Sequence, residues 1–488
     1  MTNKPNLVYI LTDDLGYGDI SALNPDSKIK TSAIDSLAAD GLCFHDAHAA
    51  SAVCTPSRYS ILTGRYAWRT TLKEFVLMGY SEPLIEFGRQ TTASMLQEAG
   101  YRTACVGKWH LGMQFAKNGA AEDDIDYTKP IAHGPVTNGF ERFYGISASL
   151  DMPPYVYIEN DRVTQPPNHT TRGTLPGYWR EGPTAENFKH EDVLPTLTQR
   201  ALDTIEEWKD EPFFLYFPLP APHTPILPTT AFAGKTNTNA YGDFVLMCDD
   251  VVHKVLQKLD DCGIADNTIV IFTSDNGCSP AANYPELLAA GHNPSYIYRG
   301  TKADIYEGGH RIPLMVRWPA KIAAGLQSEQ TVCLGDLMAT MADVLEISLP
   351  DSAAEDSVSN LPIWYGEDKP VRDTIVHHSI DGSFSIRKGQ WKLELCPGSG
   401  GWSDPVPGKE APDAPAFQLY DMQTDVRERV NVIAQHPALA QELRALLASY
   451  VLRGRSTPGK PMKNTGDDYW QQLHWMRDIF EQSIQNNR

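Results

Sequence analysis

Apolar residues along the chain fall into two alternating kinds of segment. Short continuous runs at 7–11, 103–106, 213–217, 268–273 and 314–316 predict buried strands, because a strand covered on both faces has no polar side to show. Between them, 31–40, 91–99, 194–208 and 240–259 carry apolar residues at helical spacing and predict amphipathic helices. Strand and helix in alternation over the first three quarters predict an α/β fold, a large and mainly parallel sheet with helices on both faces.

Two stretches depart from this pattern. Residues 112–190 are rich in Pro, Gly, Asn, Tyr and His with little periodicity, and loops that long inside a compact domain are usually functional. Beyond residue 371 alternation returns with tight turns, predicting strands at 384–387, 390–395 and 417–420, then a helix over 437–452. The segment 467–482 predicts a terminal amphipathic helix docked on the body. The expected organisation is a large α/β domain over 1–370 and a small C-terminal α+β unit over 371–488, an antiparallel sheet with a packed helix.

Composition narrows the classes. With 42% hydrophobic and 21% charged residues in 488, the chain is ordinary globular protein, which excludes a fibrous or largely disordered one. Lys+Arg 42 against Asp+Glu 61 gives a net charge of −19, which opposes binding to nucleic acid or to an anionic membrane surface. An anionic substrate must then meet a local basic pocket. No apolar stretch approaches the ~20 residues of a membrane helix. The opening residues lead straight into the run at 7–11 with no signal peptide. The expected compartment is cytoplasmic if Met1 is native, and periplasmic or extracellular if an export signal has been removed. The eight cysteines show neither CxxC pairs nor regular spacing, so buried thiols are expected rather than a zinc site or a disulfide framework. Asn168-His169-Thr170 matches a glycosylation acceptor, a pattern common by chance.

Candidate chemistry begins at the ends of two strands. Asp13 and Asp14 follow the run at 7–11, and Asp275 and Asn276 follow the run at 268–273. An adjacent acidic pair alone is more often a solvated turn. Two strands delivering three carboxylates and an amide to the sheet edge where α/β ligands gather offer four oxygen ligands, a set suited to Ca²⁺ or Mg²⁺ and poorly suited to zinc.

Between these strands lies Cys54-Thr55-Pro56-Ser57-Arg58, followed by Leu62-Thr63-Gly64-Arg65. The stretch resembles the maturation motif of type I sulfatases, of the alkaline-phosphatase-like superfamily, at every motif position. Gly107-Lys108-Trp109-His110-Leu111-Gly112, Ala221-Pro222-His223-Thr224-Pro225, and Gly300-Thr301-Lys302 with Glu307-Gly308-Gly309-His310-Arg311 are similar to further motifs of that family. Segments 384–393 and 419–421 resemble its small domain, so the likeness spans almost the whole chain.

The resemblance implies that a separate maturation enzyme oxidises Cys54 to formylglycine (3-oxoalanine), whose hydrate carries two hydroxyls; a lone cysteine is otherwise usually a buried thiol. It implies one divalent cation, most often Ca²⁺ with Mg²⁺ as the other choice, on Asp13, Asp14, Asp275 and Asn276. Arg58, Lys108 and Lys302 would surround the sulfate, a basic pocket within an acidic protein. His110 would contact the formylglycine and His223 the ester oxygen. The implied chemistry is attack on sulfur by one hydroxyl, with Asp275 placed to take the proton and His223 or Lys302 to protonate the leaving oxygen. Loss of the second hydroxyl's proton, to His110, would then expel sulfate.

Overall the chain is similar to carbohydrate exosulfatases of the N-acetylgalactosamine-6-sulfatase and arylsulfatase A type, implying a sulfated galactose or N-acetylgalactosamine, with 6-O-sulfate favoured. Ser149 sits where related arylsulfatases place a sulfate contact. Asp151, Tyr155, His169, Arg172, Tyr178, Trp179 and Arg180 suit a sugar with stacking faces and hydroxyls, and His310, His378 and Asp381 are further candidate contacts. For any one of the loop residues, packing or a surface charge is the commoner role. Two alternatives stand beside this reading: a phosphonate monoester hydrolase or phosphodiesterase of the same superfamily, and a non-catalytic binder of sulfated glycans, which would have no need of a nucleophile.

Overall fold

A computed structural model describes residues 4–175 and 177–486. Its centre is the strand Asn6–Thr12, every residue of which is buried, so no polar alternation is visible in it. Phe213–Pro218 and Thr268–Ser274 flank it in parallel, with Leu7 opposite both Phe214 and Ile269, so that the three strands end together. Arg102–Lys108 and Arg142–Ile146 extend the parallel set on one side. On the other, Leu314–Arg317 runs antiparallel to Thr268–Ser274, followed by Leu42–Phe44 and Leu326–Ser328; with Ile158–Glu159 and Arg162–Val163 at the far edge the sheet has ten strands. The helices Ser32–Ala39, Val193–Trp208 and Ala240–Asp261 pack as one group; Cys54–Thr63, Thr92–Glu98 and Leu337–Val344 pack as another, with the sheet between the two. This is the expected α/β sandwich.

The helix Cys54–Thr63 has no amphipathic signature because all ten of its residues are buried. Gly64 ends it at φ 62, where a Cβ would lie 2.9 Å from Ala354 Cα, so a left-handed turn and a close backbone both require glycine. The stretch 112–190 is not wholly irregular. Ile158–Glu159 and Arg162–Val163 prolong the main sheet, and His169–Thr171 pairs with Gly182–Thr184; strands of two or three residues are too short to show a period.

A separate four-stranded antiparallel sheet comprises Thr374–His378, Phe384–Lys388, Trp391–Glu394 and Gln418–Asp421. The helix Pro437–Arg453 covers it through Leu443, Leu447 and Val451 against Ile386, Leu393 and Leu419. The C-terminal stretch is a 3-10 turn, Gln471–Met476, which buries Leu473 and Trp475 on the same core, followed by the helix Arg477–Asn486. This small sheet also touches the catalytic side of the molecule. Ala52 N donates to His378 O at 3.0 Å and His378 N to Ala50 O at 3.3 Å, pinning the segment that leads into Cys54. Among the described residues no helix is long and apolar enough to cross a membrane.

Candidate active site

Strand ends build the site. Asp13 N donates to Ala221 O at 2.9 Å, which brings the 221–225 loop to the end of the central strand, and Asp275 N donates to Thr12 O at 3.1 Å. Asp14 adopts φ 65, turning the chain sharply away from its neighbour, and its N–H donates to Asp275 Oδ1 at 3.3 Å. Asn276 Nδ2 donates to Asp14 Oδ1 at 2.8 Å.

Three cations meet the three carboxylates. Lys108, the last residue of its strand, donates to Asp13 Oδ2 at 2.6 Å. Arg58, one turn into the helix that Cys54 opens, lies 2.9 Å from Asp275 Oδ2 through Nε and donates through Nη1 to Lys108 O at 3.0 Å. Lys302 lies 2.6 Å from Asp14 Oδ1. All six side chains are buried, and buried charges persist only when paired. Burial opposes ionisation of Asp13, but Lys108, His223, Arg58 and Lys302 outweigh it and hold the carboxyl well below the usual range. Burial dominates at Asp275, with Arg58 opposing and Asp13 adding repulsion, and its pKa is pushed up to about 6. The Cys54 thiol, 1% exposed, is raised by burial against the pull of Lys108 and Lys302, so it is not a ready thiolate.

The oxygen donors fit a hard divalent cation. Asp13 Oδ1 and Asn276 Oδ1 are buried without a hydrogen-bond partner, which is costly unless something else satisfies them. Ligand atoms of Asp13, Cys54 and Asp275 lie within 4.8 Å of one another, as do those of Asp13, Asp14 and His223. Residue 54 therefore opens directly on the acidic cluster.

Both histidines have one nitrogen fixed by a backbone carbonyl. His110 Nε2 donates to Leu77 O at 2.7 Å, and its buried Nδ1 has no partner. Burial, then Lys108 and Arg58, hold this imidazole well below its ordinary pKa, so it is neutral with an unprotonated Nδ1. His223 Nδ1 donates to Thr224 O at 2.6 Å, leaving Nε2 3.6 Å from Asp14 Oδ2. Asp151 Oδ1 lies 3.9 Å from His223 Nδ1, and its Oδ2 pairs with Arg180.

A family model described as Sulfatase matches residues 5–347. The chain belongs to the sulfatase family. It is a sulfuric ester hydrolase. An N-acetylgalactosamine-6-O-sulfatase of Bacteroides thetaiotaomicron is 36% identical over 93% of this chain and 94% of its own. The N-acetylgalactosamine-6-sulfatase of Homo sapiens is 30% identical over 86% of this chain and 77% of its own. Among solved structures, one from work on the metabolism of multiple glycosaminoglycans by Bacteroides thetaiotaomicron superposes with a TM-score of 0.80 at 35% identity, covering 92% of this chain and 99% of that one. A phosphonate monoester hydrolase of Agrobacterium radiobacter shares the fold at a TM-score of 0.60 and 18% identity, covering 91% of this chain and 95% of that one.

The structure of this sulfatase brings Asp13, Asp14, Cys54, Arg58, Lys108, His110, His223, Asp275, Asn276 and Lys302 into one cluster, with Asp151 beside it. Ser149, two residues past the Ser147 carbonyl that accepts His110 N, is buried with Oγ unpartnered. The expectation of a substrate contact at His310 is corrected. His310 is 0% exposed, stacks on His377 at 3.8 Å and shares a 3.0 Å hydrogen bond with His48, so it is closed off within a second buried cluster. Tyr155 is likewise a framework residue, buried and donating to Arg180 O and Asp151 O. Trp179 stacks on His190 at 3.9 Å and donates to Thr171 Oγ1, a packing role. His169, bonded to the neighbouring Asn168 side chain, Arg172 and Tyr178 are exposed. His378 is buried beneath the approach to Cys54 with Nδ1 unpartnered, and Asp381 caps its own turn through Ser379 and Ser383. Leu77 and Thr224 escaped the sequence reading because they act through carbonyl groups, which no side-chain pattern reveals.

Proposed function

We propose that this sulfatase hydrolyses the sulfate monoester of a carbohydrate, a 6-O-sulfated N-acetylgalactosamine or galactose at a chain end, with formylglycine at position 54 and a divalent cation, Ca²⁺ or Mg²⁺, on Asp13, Asp14, Asp275 and Asn276. The observation that carries the reading is the pairing of three buried cations with three buried carboxylates around residue 54. The two N-acetylgalactosamine-6-sulfatase relatives support the choice of sugar.

When present, formylglycine and the cation would supply an oxygen nucleophile of lowered pKa and a counter-charge for the sulfate. The chain's own residues do the rest. Arg58, Lys108 and Lys302 form a preorganised positive wall, worth most in a buried site where no water has to reorient. Asp275, with a carboxylate oxygen within 4.8 Å of the Cys54 Sγ, is placed to accept the proton of the nucleophile. Lys302 Nζ, and His223 Nε2 when the ring carries its second proton, both directed at Asp14, are the groups that can hand a proton to the departing sugar oxygen. The free Nδ1 of His110 is the acceptor for the step that releases sulfate. Asp151, braced by Arg180, is the polar group beside His223 available to a sugar hydroxyl. Because Cys54 is almost completely enclosed, a maturation enzyme must reach it before this fold is complete.

The test is sulfate release from 6-, 4-, 3- and 2-sulfated galactose, N-acetylgalactosamine and glucosamine by protein coexpressed with a maturation enzyme, with Cys54→Ala as control. Release from the 6-sulfated galactose-type sugars, abolished in the variant, is expected. Cleavage of phenyl phosphonate esters with no sulfate release would overturn the reading in favour of a phosphonate ester hydrolase.

A further inference from the structure

Two exposed aromatic residues are tied by their backbones to the loops that carry Lys302 and His110. Trp402 is 47% exposed and Phe75 56%, and neither belongs to the apolar cores among the described residues. Trp402 N donates to Asp304 Oδ1 at 2.7 Å, and Ser403 N donates to the same oxygen at 3.0 Å. Asp304 is itself fully buried and accepts Thr301 N at 2.8 Å, so it clamps the chain on both sides of Lys302. Gly401 makes the approach possible: a Cβ there would stand 2.5 Å from Ala303 O. The backbone at Trp402 is thus held against the loop of Lys302.

Phe75 is tied to the same region from the other side. Its N–H donates to Ile380 O at 2.7 Å, while Ile380 N donates to Ala303 O at 3.0 Å. Two residues further on, Leu77 holds His110 through its carbonyl and donates its N–H to Thr55 Oγ1 at 3.2 Å, next to Cys54. Ile380, from the small C-terminal sheet region, is therefore a backbone bridge between the two loops, with an exposed ring anchored near each end. Phe75 also adopts φ 60, a region costly for a bulky side chain and maintained only where the surroundings impose it.

Rings this large, half in water on backbones held by hydrogen bonds, contribute little to the core and offer apolar faces to a ligand. Sugars present matching C–H faces. The cluster that would hold the sulfate is buried, so any further sugar ring must lie outside it. We propose that Trp402 and Phe75 form a platform for the sugar ring attached to the sulfated one, so that the ligand class is a sulfated oligosaccharide of at least two rings. This inference rests on the sulfated-carbohydrate reading given above.

The test compares kcat/KM for a 6-sulfated N-acetylgalactosamine monosaccharide and a 6-sulfated disaccharide in the matured protein, in Trp402→Ala and in Phe75→Ala. The wild-type ratio of disaccharide to monosaccharide is expected to exceed one and to fall about fivefold to tenfold in Trp402→Ala, the scale of one lost aromatic contact, with partial recovery in Trp402→Phe. A ratio unchanged in both alanine variants would overturn the platform. Calorimetric titration of the disaccharide into Cys54→Ala and Cys54→Ala/Trp402→Ala separates binding from chemistry. Weaker binding in the double variant, with no sulfate release by the matured wild type, would sink the proposed activity while leaving the platform standing; equal binding would sink the platform.

Discussion

The Nε2 of His110 lies 2.7 Å from the carbonyl oxygen of Leu77, and that hydrogen bond fixes which nitrogen of the ring is basic. A carbonyl can only accept, so the proton is on Nε2 and the lone pair is on the unpartnered Nδ1. In the proposed mechanism, replacing His110 with Ala removes the proton acceptor and leaves Arg58, Lys108 and Lys302 to hold the sulfate. The expected outcome is a fall in kcat of about 10²- to 10⁴-fold with a much smaller change in KM, the span of a lost general base. Steady-state kinetics on the sulfated sugar provide the check.

With the proposed ligand set, removing the divalent cation should weaken the fold as well as the activity. Asp13 Oδ1 and Asn276 Oδ1 have no hydrogen-bond partner, and the three carboxylates repel one another where Lys108, Arg58 and Lys302 do not shield them. Dialysis against a chelator is expected to abolish sulfate release and lower the denaturation midpoint, with both restored by Ca²⁺ or Mg²⁺. A cation present at a hundred times its Kd stabilises by about 2.7 kcal/mol. An unchanged midpoint after demonstrated metal removal would contradict the assigned ligand set.

The strand-end carboxylates were legible in the sequence because apolar runs locate strands, and parallel neighbours must end at one edge; Asp13 and Asp275 follow from that alone. Cys54, Arg58, Lys108 and Lys302 were legible only through the resemblance, since a cysteine or lysine in a loop carries no local signal of its role. What stayed hidden depends on long-range packing. His310 sits in a motif as distinctive as that of Lys302, yet its ring turns into the buried His48 and His377 cluster. The short strand Leu42–Phe44 and the fully buried helix Cys54–Thr63 have no period to detect, because neither has an exposed face.

The small sheet is fastened to the large domain by a buried ammonium. Lys392 lies 3.1 Å from Glu307 of the large domain, 3.3 Å from Glu394 and 2.5 Å from Glu428, all of them buried. Its Nζ also donates to Ile305 O at 3.0 Å. Lys392→Met leaves Glu394 and Glu428 without this cation, while Glu307 keeps Arg311 at 2.9 Å, and is expected to destabilise by about 3–5 kcal/mol, the usual cost of breaking a buried pair from one side. Adding Glu428→Gln should recover part of that loss. Chemical denaturation of the two variants provides the comparison.

His378 sets an acid-side dependence of stability. Burial lowers its pKa to about 4 from an ordinary 6.5, and its Nδ1 has no hydrogen-bond partner to hold a proton. In the unfolded chain the ring takes up a proton near pH 6.5; in the folded chain it resists until about pH 4. Between those values the unfolded state binds more protons, so this group's contribution to stability is complete above pH 6.5 and is lost as the pH falls toward 4. The loss across the window is on the order of 3 kcal/mol for a fully buried histidine. His378→Asn removes the titration while leaving a polar side chain in the strand that pins Ala50 and Ala52. The stability difference between wild type and variant is therefore expected to shift against the wild type on acidification from pH 7 to pH 4.5, as read by urea denaturation at each pH. A difference that stays constant over that range would show that His378 is protonated or solvated in the folded protein.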